Sequence, residues 1–203
     1  MSVQDKNAQT PKQKVCFVTI GATASFNALI EAMLSQTFLT TLKQHGYTEL
    51  RLQHGLEGGA LLKSFHASRT AEETPLKITG FDFNKKGLGA EMLAAKGSNG
   101  GSSEGVVISH AGSGSILDAL RIAVPLIVVP NPSLLDNHQV ELAEALAAQG
   151  YVVHGRLEDL ATAVGESERL REKKNVWPPR DGEGDPAGKG LIGVMDDELG
   201  FVD

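Results

Sequence analysis

VVISHAGSGSILDALRIAVPLIVVPNPSLLDNHQVELAEA, residues 106–145, is the stretch that decides the fold. A short β-branched run, Val106-Val107-Ile108, breaks at the small residues His110-Ala111-Gly112-Ser113-Gly114-Ser115, and a helical pattern follows. This is the order of strand, tight loop and helix start found at α/β anion sites. Small residues let backbone N–H groups approach an anion, and the first helical turn aims its free N–H groups and positive dipole end at the same point. A tight strand-to-helix turn with no ligand has the same residues, so the loop alone leaves both readings open.

Known glycine motifs do not fit. A dinucleotide G-x-G-x-x-G needs glycine where Leu117 stands, and no Gly-Lys-Ser/Thr follows as in a P-loop. The nucleophile elbow G-x-S-x-G fails as well, because the glycines flank Ser113 directly. A serine hydrolase built on Ser113 or Ser115 with His110 therefore has the residue types without the spacing. Asp118 falls one and a half turns into the helix, where a carboxylate can accept from a pair of ribose hydroxyls; a solvated acid near a helix start is the alternative. Pro125-Leu126-Ile127-Val128-Val129-Pro130 reads as a buried parallel strand, and it feeds the polar cluster Asn131 to Gln139. Ligands of open α/β sheets bind at such strand ends.

HAGSGSILDAL followed by PLIVVPN and DNHQ-x-E-L-A resembles the catalytic subunit of the eukaryotic two-subunit transferase that adds the second N-acetylglucosamine to dolichyl-diphospho-GlcNAc. That family is similar in turn to the C-terminal, donor-binding half of bacterial MurG-type glycosyltransferases. The resemblance spans residues 15–159. It implies a Rossmann-like parallel sheet with helices on both faces, the donor half of a GT-B enzyme. It also implies inverting transfer of GlcNAc from UDP-GlcNAc, with no cofactor beyond that donor. The acceptor half, and with it the general base, is expected on a membrane-anchored partner at the cytosolic face of the endoplasmic reticulum. Gly112, Ser113, Gly114 and Ser115 become diphosphate candidates, Asp118 a ribose candidate, and Asn137, His138 and Gln139 sugar readers. Capping of the next helix by Asp136 and Asn137 competes for that last cluster. Gly21 and Thr23, in a second small-residue loop, join the diphosphate candidates, a turn with an N-cap being the alternative. His110 is the candidate catalytic residue in this chain, against the alternative of a packed loop histidine.

Composition sets the limits. The 203 residues suit one α/β domain with tails, and a formal net charge of −6 offers no basic field for nucleic acid. No apolar run reaches membrane-spanning length, no signal-peptide core is present, and the single Cys16 excludes an internal disulfide, so the chain reads as cytoplasmic. No H-x-x-x-H or C-x-x-C occurs, so leaving-group charge is expected to fall on backbone N–H groups and helix dipoles, assisted by the Ser113 and Ser115 hydroxyls. A nucleotide-sugar-binding scaffold without turnover is the rival reading, favoured by the lack of an evident general base.

In chain order, residues 1–14 read as a disordered tail and 15–174 as the nucleotide-sugar domain. Strands are expected at 15–20, 49–54, 76–81 and 151–153. Helices are expected from Phe26 toward Leu42, through Leu88 to Ala94, over 141–149 and over 157–170. Residues 57–75 show no firm period and read as an irregular connection. The Gly/Ser-rich 97–105 reads as a flexible surface loop without a role. Residues 175–203 read as a Pro/Gly-rich tether ending in an apolar docking segment.

Overall fold

A computed structural model describes residues 12–22, 24–69, 76–98, 101–133 and 138–173. Six parallel strands form one sheet: β1 Gln13–Thr19, β2 Glu49–Gln53, β3 Lys77–Phe81, β4 Ser102–Ser109, β5 Leu126–Val128 and β6 Val153–His154, in the order β3-β2-β1-β4-β5-β6. The helices are α1 Asn27–Met33, α2 Gln36–Gln44, α3 Gly55–Ala67, α4 Gly89–Lys96, α5 Ser113–Ile122, α6 His138–Ala148 and α7 Leu160–Lys173, the last entered through a 3-10 turn at Leu157–Asp159.

Alternation along the central strands explains why helices cover both faces. Cys16 and Val18 of β1 join Val106 and Ile108 of β4 in a core with α1, α2, α3 and α7, while Phe17 and Val107 join a second core with α4, α5 and α6. Strands buried on both sides read as unbroken apolar runs, as residues 15–18 and 106–108 do. After β3 the chain returns to pair β4 with β1, so strand order reverses between these two. This is the Rossmann strand order, whose ligand crevice opens outside the carboxyl ends of the strands at the reversal.

Three expectations need correction. Residues 57–75 are not irregular at their start: α3 runs to Ala67, and its buried stripe is Gly58, Leu62 and Phe65. The first anchor of that stripe is a glycine, which hides the period, yet it packs usefully, since a Cβ there would stand 3.0 Å from the His54 Cβ and 3.4 Å from Ile30. The Gly/Ser run is in part the start of β4, with Ser102 and Ser103 paired to Gln13 and Lys14. Gly105 has a clear role there, because a Cβ would lie 1.9 Å from the Val15 carbonyl oxygen, and only glycine permits that approach. Gln13 and Lys14 consequently belong to the sheet and not to the N-terminal tail. Residues 1–11 of that tail, the 174–203 segment, Thr23 and Asn137 lie outside the described residues.

Candidate functional site

The site forms where β1 and β4 part. β1 delivers Gly21, whose φ of +76° bends the chain away from the strand, and β4 delivers His110-Ala111-Gly112, with Ala111 at φ +67°. The His110 ring lies between the two turns. A Cβ on Gly21 would stand 2.4 Å from the ring and one on Gly112 2.5 Å, so both glycines are required by close approach. Burial holds the His110 imidazole below its ordinary range, with the Thr19 carbonyl opposing in part. Its Nδ1 is buried without a hydrogen-bond partner. His110 therefore packs as a neutral plate at neutral pH, and it is not among the side chains lining the cleft beside it.

That cleft, about 360 Å³, is lined by Gly21, Ala22 and Gln53, by Gly114, Ser115 and Asp118 of α5, and by residues of the loop from Phe83 to Leu88. Its volume falls within the ~300–1,000 Å³ usual for small-molecule sites. Gly112 is the N-cap of α5 and offers no side-chain cap to the first turn. Of α1 to α5, only α2 has a side-chain cap, from Ser35 to the Phe38 N–H, and α2 does not follow a strand. The first-turn N–H groups of α5 thus face the cleft mouth without a protein cap, where an anion gains ~0.3–2 kcal/mol from the dipole. Nothing lies within 4 Å of a Cβ on Gly114, which leaves that point open for a ligand. Asp118 is half exposed, 3.6 Å from Arg121.

The structure brings Gly21, Gly114, Ser115 and Asp118 together in one lining, with Gly112 and Ser113 at the helix start beside them. His138 and Gln139 stand apart, at the start of α6 beyond β5. His138 is exposed and 3.5 Å from Glu141. Gln139 accepts from the Asn131 N–H at 3.2 Å, and the Asn131 amide in turn donates to the Ser25 carbonyl at 3.4 Å. This chain of bonds ties the β5 loop to the β1 loop, so Gln139 supports the rim with its oxygen and keeps its NH₂ group for other contacts.

Sequence reading missed Gln53 and the 83–88 loop. Their signal was position, since Gln53 closes β2, the neighbour of β1, and the loop follows β3, the next strand out. Phe83 is 58% exposed, large and apolar at the cleft rim. Among the described residues no group of three His, Cys, Asp or Glu side chains is placed to hold a metal ion, and no helix is long and apolar enough to cross a membrane.

A sequence profile of the glycosyltransferase family 28 C-terminal domain matches residues 15–176. The chain belongs to that family. This family 28 chain is 43% identical over 129 residues to the UDP-N-acetylglucosamine transferase subunit ALG13 of Yarrowia lipolytica, an alignment covering 64% of this chain and 58% of that one. It is 35% identical over 164 residues to the subunit of the same name from Saccharomyces cerevisiae, covering 70% and 77% of the two chains. The NMR solution structure of ALG13 superposes with a TM-score of 0.60 at 30% identity, over 83% of this chain and 90% of that one. MurG of Acinetobacter baumannii shares the fold, with a TM-score of 0.52 at 20% identity over 82% of this chain and 41% of its own. The family 28 domain here thus corresponds in fold to less than half of the MurG chain.

Proposed function

We propose that this chain is the donor-binding, catalytic subunit of a transferase that moves GlcNAc from UDP-GlcNAc to dolichyl-diphospho-GlcNAc, in the second step of lipid-linked oligosaccharide synthesis for protein N-glycosylation. The observation that carries the proposal is the uncapped start of α5 opening beside Asp118 into the cleft at the β1/β4 reversal. The names of the relatives, UDP-N-acetylglucosamine transferase subunits, supply the donor. In this reading the first turn of α5, Gly112 to Ser115, receives the diphosphate and Asp118 the ribose hydroxyls. The uracil ring lies toward the Phe83 to Leu88 wall, and GlcNAc points toward Asn137, His138 and Gln139.

The acceptor hydroxyl attacks the anomeric carbon from the face opposite UDP. The new C–O bond forms as the bond to the diphosphate breaks, and inversion follows from that geometry. Negative charge accumulating on UDP is met by the α5 N–H groups and dipole, with no cofactor required beyond the donor. The acceptor's proton goes to a base on a membrane-anchored partner subunit, which also holds the dolichyl substrate and recruits this chain to the cytosolic face of the endoplasmic reticulum. Among the described residues, the titratable side chains lining the cleft are Lys85 and Asp118, and neither is assigned that task.

Calorimetric titration of the purified chain tests the proposal. It should bind UDP and UDP-GlcNAc yet transfer no sugar until the membrane partner is added. Asp118→Ala should remain fully folded, since the side chain is half exposed. It should lose about tenfold or more in UDP affinity through a missing charge-assisted hydrogen bond, worth ~1.5–3 kcal/mol. Unchanged UDP affinity in the folded variant would refute the ribose assignment, and full transfer by the chain alone would refute the division of labour.

A further inference from the structure

Gln53 ends β2 at the floor of the cleft, 2% exposed, and its amide makes four hydrogen bonds. Oε1 accepts from the Thr19 hydroxyl at 2.6 Å and from the Ile20 N–H at 3.1 Å. Nε2 donates to the Gly21 carbonyl at 2.8 Å and to the Asp82 carbonyl at 3.0 Å. Two acceptor and two donor positions are all the capacity a primary amide has, so its orientation is fixed by its surroundings. The Thr19 hydroxyl also accepts from the Gly21 N–H at 3.2 Å, which leaves both polar backbone groups of Gly21 tied into this one network.

Every one of these partners stands at or beyond a strand end. β1 and β2 are in register through Thr19 and Gln53, and β2 and β3 through Gln53 and Phe81, so the ladders are complete without the side chain. What the amide adds is a link between two segments that the sheet leaves unconnected: the Gly21-Ala22 turn, one wall of the cleft, and the Asp82 start of the loop that forms a second wall. We propose that Gln53 is a positioning residue for the donor, which sets the separation of the two cleft walls through its amide and so holds the diphosphate and base positions in register. This role rests on reading the cleft as the donor site. The chemistry demands an amide. A carboxylate at the same place would face the Gly21 and Asp82 carbonyl oxygens with no proton to offer, and a methionine would take from those two carbonyls their amide donor and from the Thr19 hydroxyl its acceptor.

The test uses Gln53→Met, Gln53→Glu and Thr19→Val in the full chain, at a temperature where circular dichroism shows each variant folded. UDP affinity is measured by calorimetry, and backbone amide exchange at Ile20 and Gly21 by NMR. Gln53→Met and Thr19→Val are expected to weaken UDP by about tenfold and to speed exchange at these amides while α6 and α7 stay protected. For Gln53→Glu, the ratio of its Kd to that of wild type should rise with pH as the carboxyl ionises, a response that general loss of stability does not produce in a folded protein. Should one variant fail to fold, the others decide. Folded variants with wild-type UDP affinity and a flat Kd ratio overturn the positioning role. Failure of wild type to bind UDP would overturn the donor reading instead, and the exchange data would still show whether the amide holds the two walls.

Discussion

At the scale of single residues, His110 shows how one side chain can be committed by its neighbours. Its ring fills the gap between Gly21 and Gly112, and burial keeps it neutral. The sign of the pH effect follows. In the unfolded chain a histidine takes up its proton near pH 6.5, while in the fold it does so only at lower pH, so the unfolded state binds more protons in the window between the two values. The stability contributed is complete above about pH 6.5 and is lost as pH falls from there toward the folded value. NMR titration of the ring should give a value below the ordinary range, and His110→Gln should flatten the fall in thermal stability on the acid side of pH 6.5. A ring titrating at the ordinary value would contradict the packed arrangement. Sequence reading left His110 between a catalytic role and a packed one, because a histidine next to glycines fits either. What packs the ring is the approach of Gly21, 89 residues away in the chain, which no local pattern records.

Among the elements, α5 carries most of the candidate site, and its Gly114 has requirements opposite to those of Gly21 in the turn after β1. Gly114 lies in the first turn with nothing outside its own helix within 4 Å of a Cβ position, whereas Gly21 holds a φ of +76° that other residues rarely adopt and is crowded by His110. Gly114→Ala should therefore stabilise the fold, by up to about 1 kcal/mol as glycine leaves a helix, and at the same time weaken UDP because the methyl group enters the space an anion would use. Gly21→Ala should lower both thermal stability and UDP affinity. Melting curves paired with titrations separate the two, and a Gly114→Ala variant that gains stability without losing UDP would place the diphosphate elsewhere. The same element explains what was legible. Gly112 to Asp118 is contiguous, so the sequence displayed it as one candidate, and the family resemblance, not the spacing, suggested its roles. The other cleft wall comes from strand ends some 30 residues apart in sequence, brought together only by the strand order, and α3 was hidden because its buried stripe begins with a glycine.

On the scale of the whole molecule, the sheet separates two tasks between its ends. The carboxyl ends hold the cleft. At the amino ends, α7 is fastened to the start of β1 and β4 by a cluster of charges. The Glu168 carboxylate accepts from Lys14 at 2.9 Å, from Arg171 at 3.0 Å and from the Tyr47 hydroxyl at 2.7 Å, while Arg171 also donates to the Glu104 and Gly105 carbonyls at 3.0 Å. Lys14 and Glu168 are nearly buried, with side chains 11% and 14% exposed, and burial pulls the Lys14 amine below its usual range despite the carboxylate beside it. Glu168→Gln keeps the shape and removes the charge that two cations share. Arg171 keeps Glu104 at 3.4 Å, but Lys14 loses its carboxylate partner in a nearly buried place, which should cost about 3 kcal/mol and for a domain of this size lower Tm by roughly 10 °C. UDP affinity measured well below that Tm should stay within about twofold of wild type, because no residue of the cluster lines the cleft. Scanning calorimetry and titration on the same sample check both halves. A folded Glu168→Gln protein that had lost UDP binding would show that the two ends of the sheet are coupled, and the docking of α7 would then belong to the functional site.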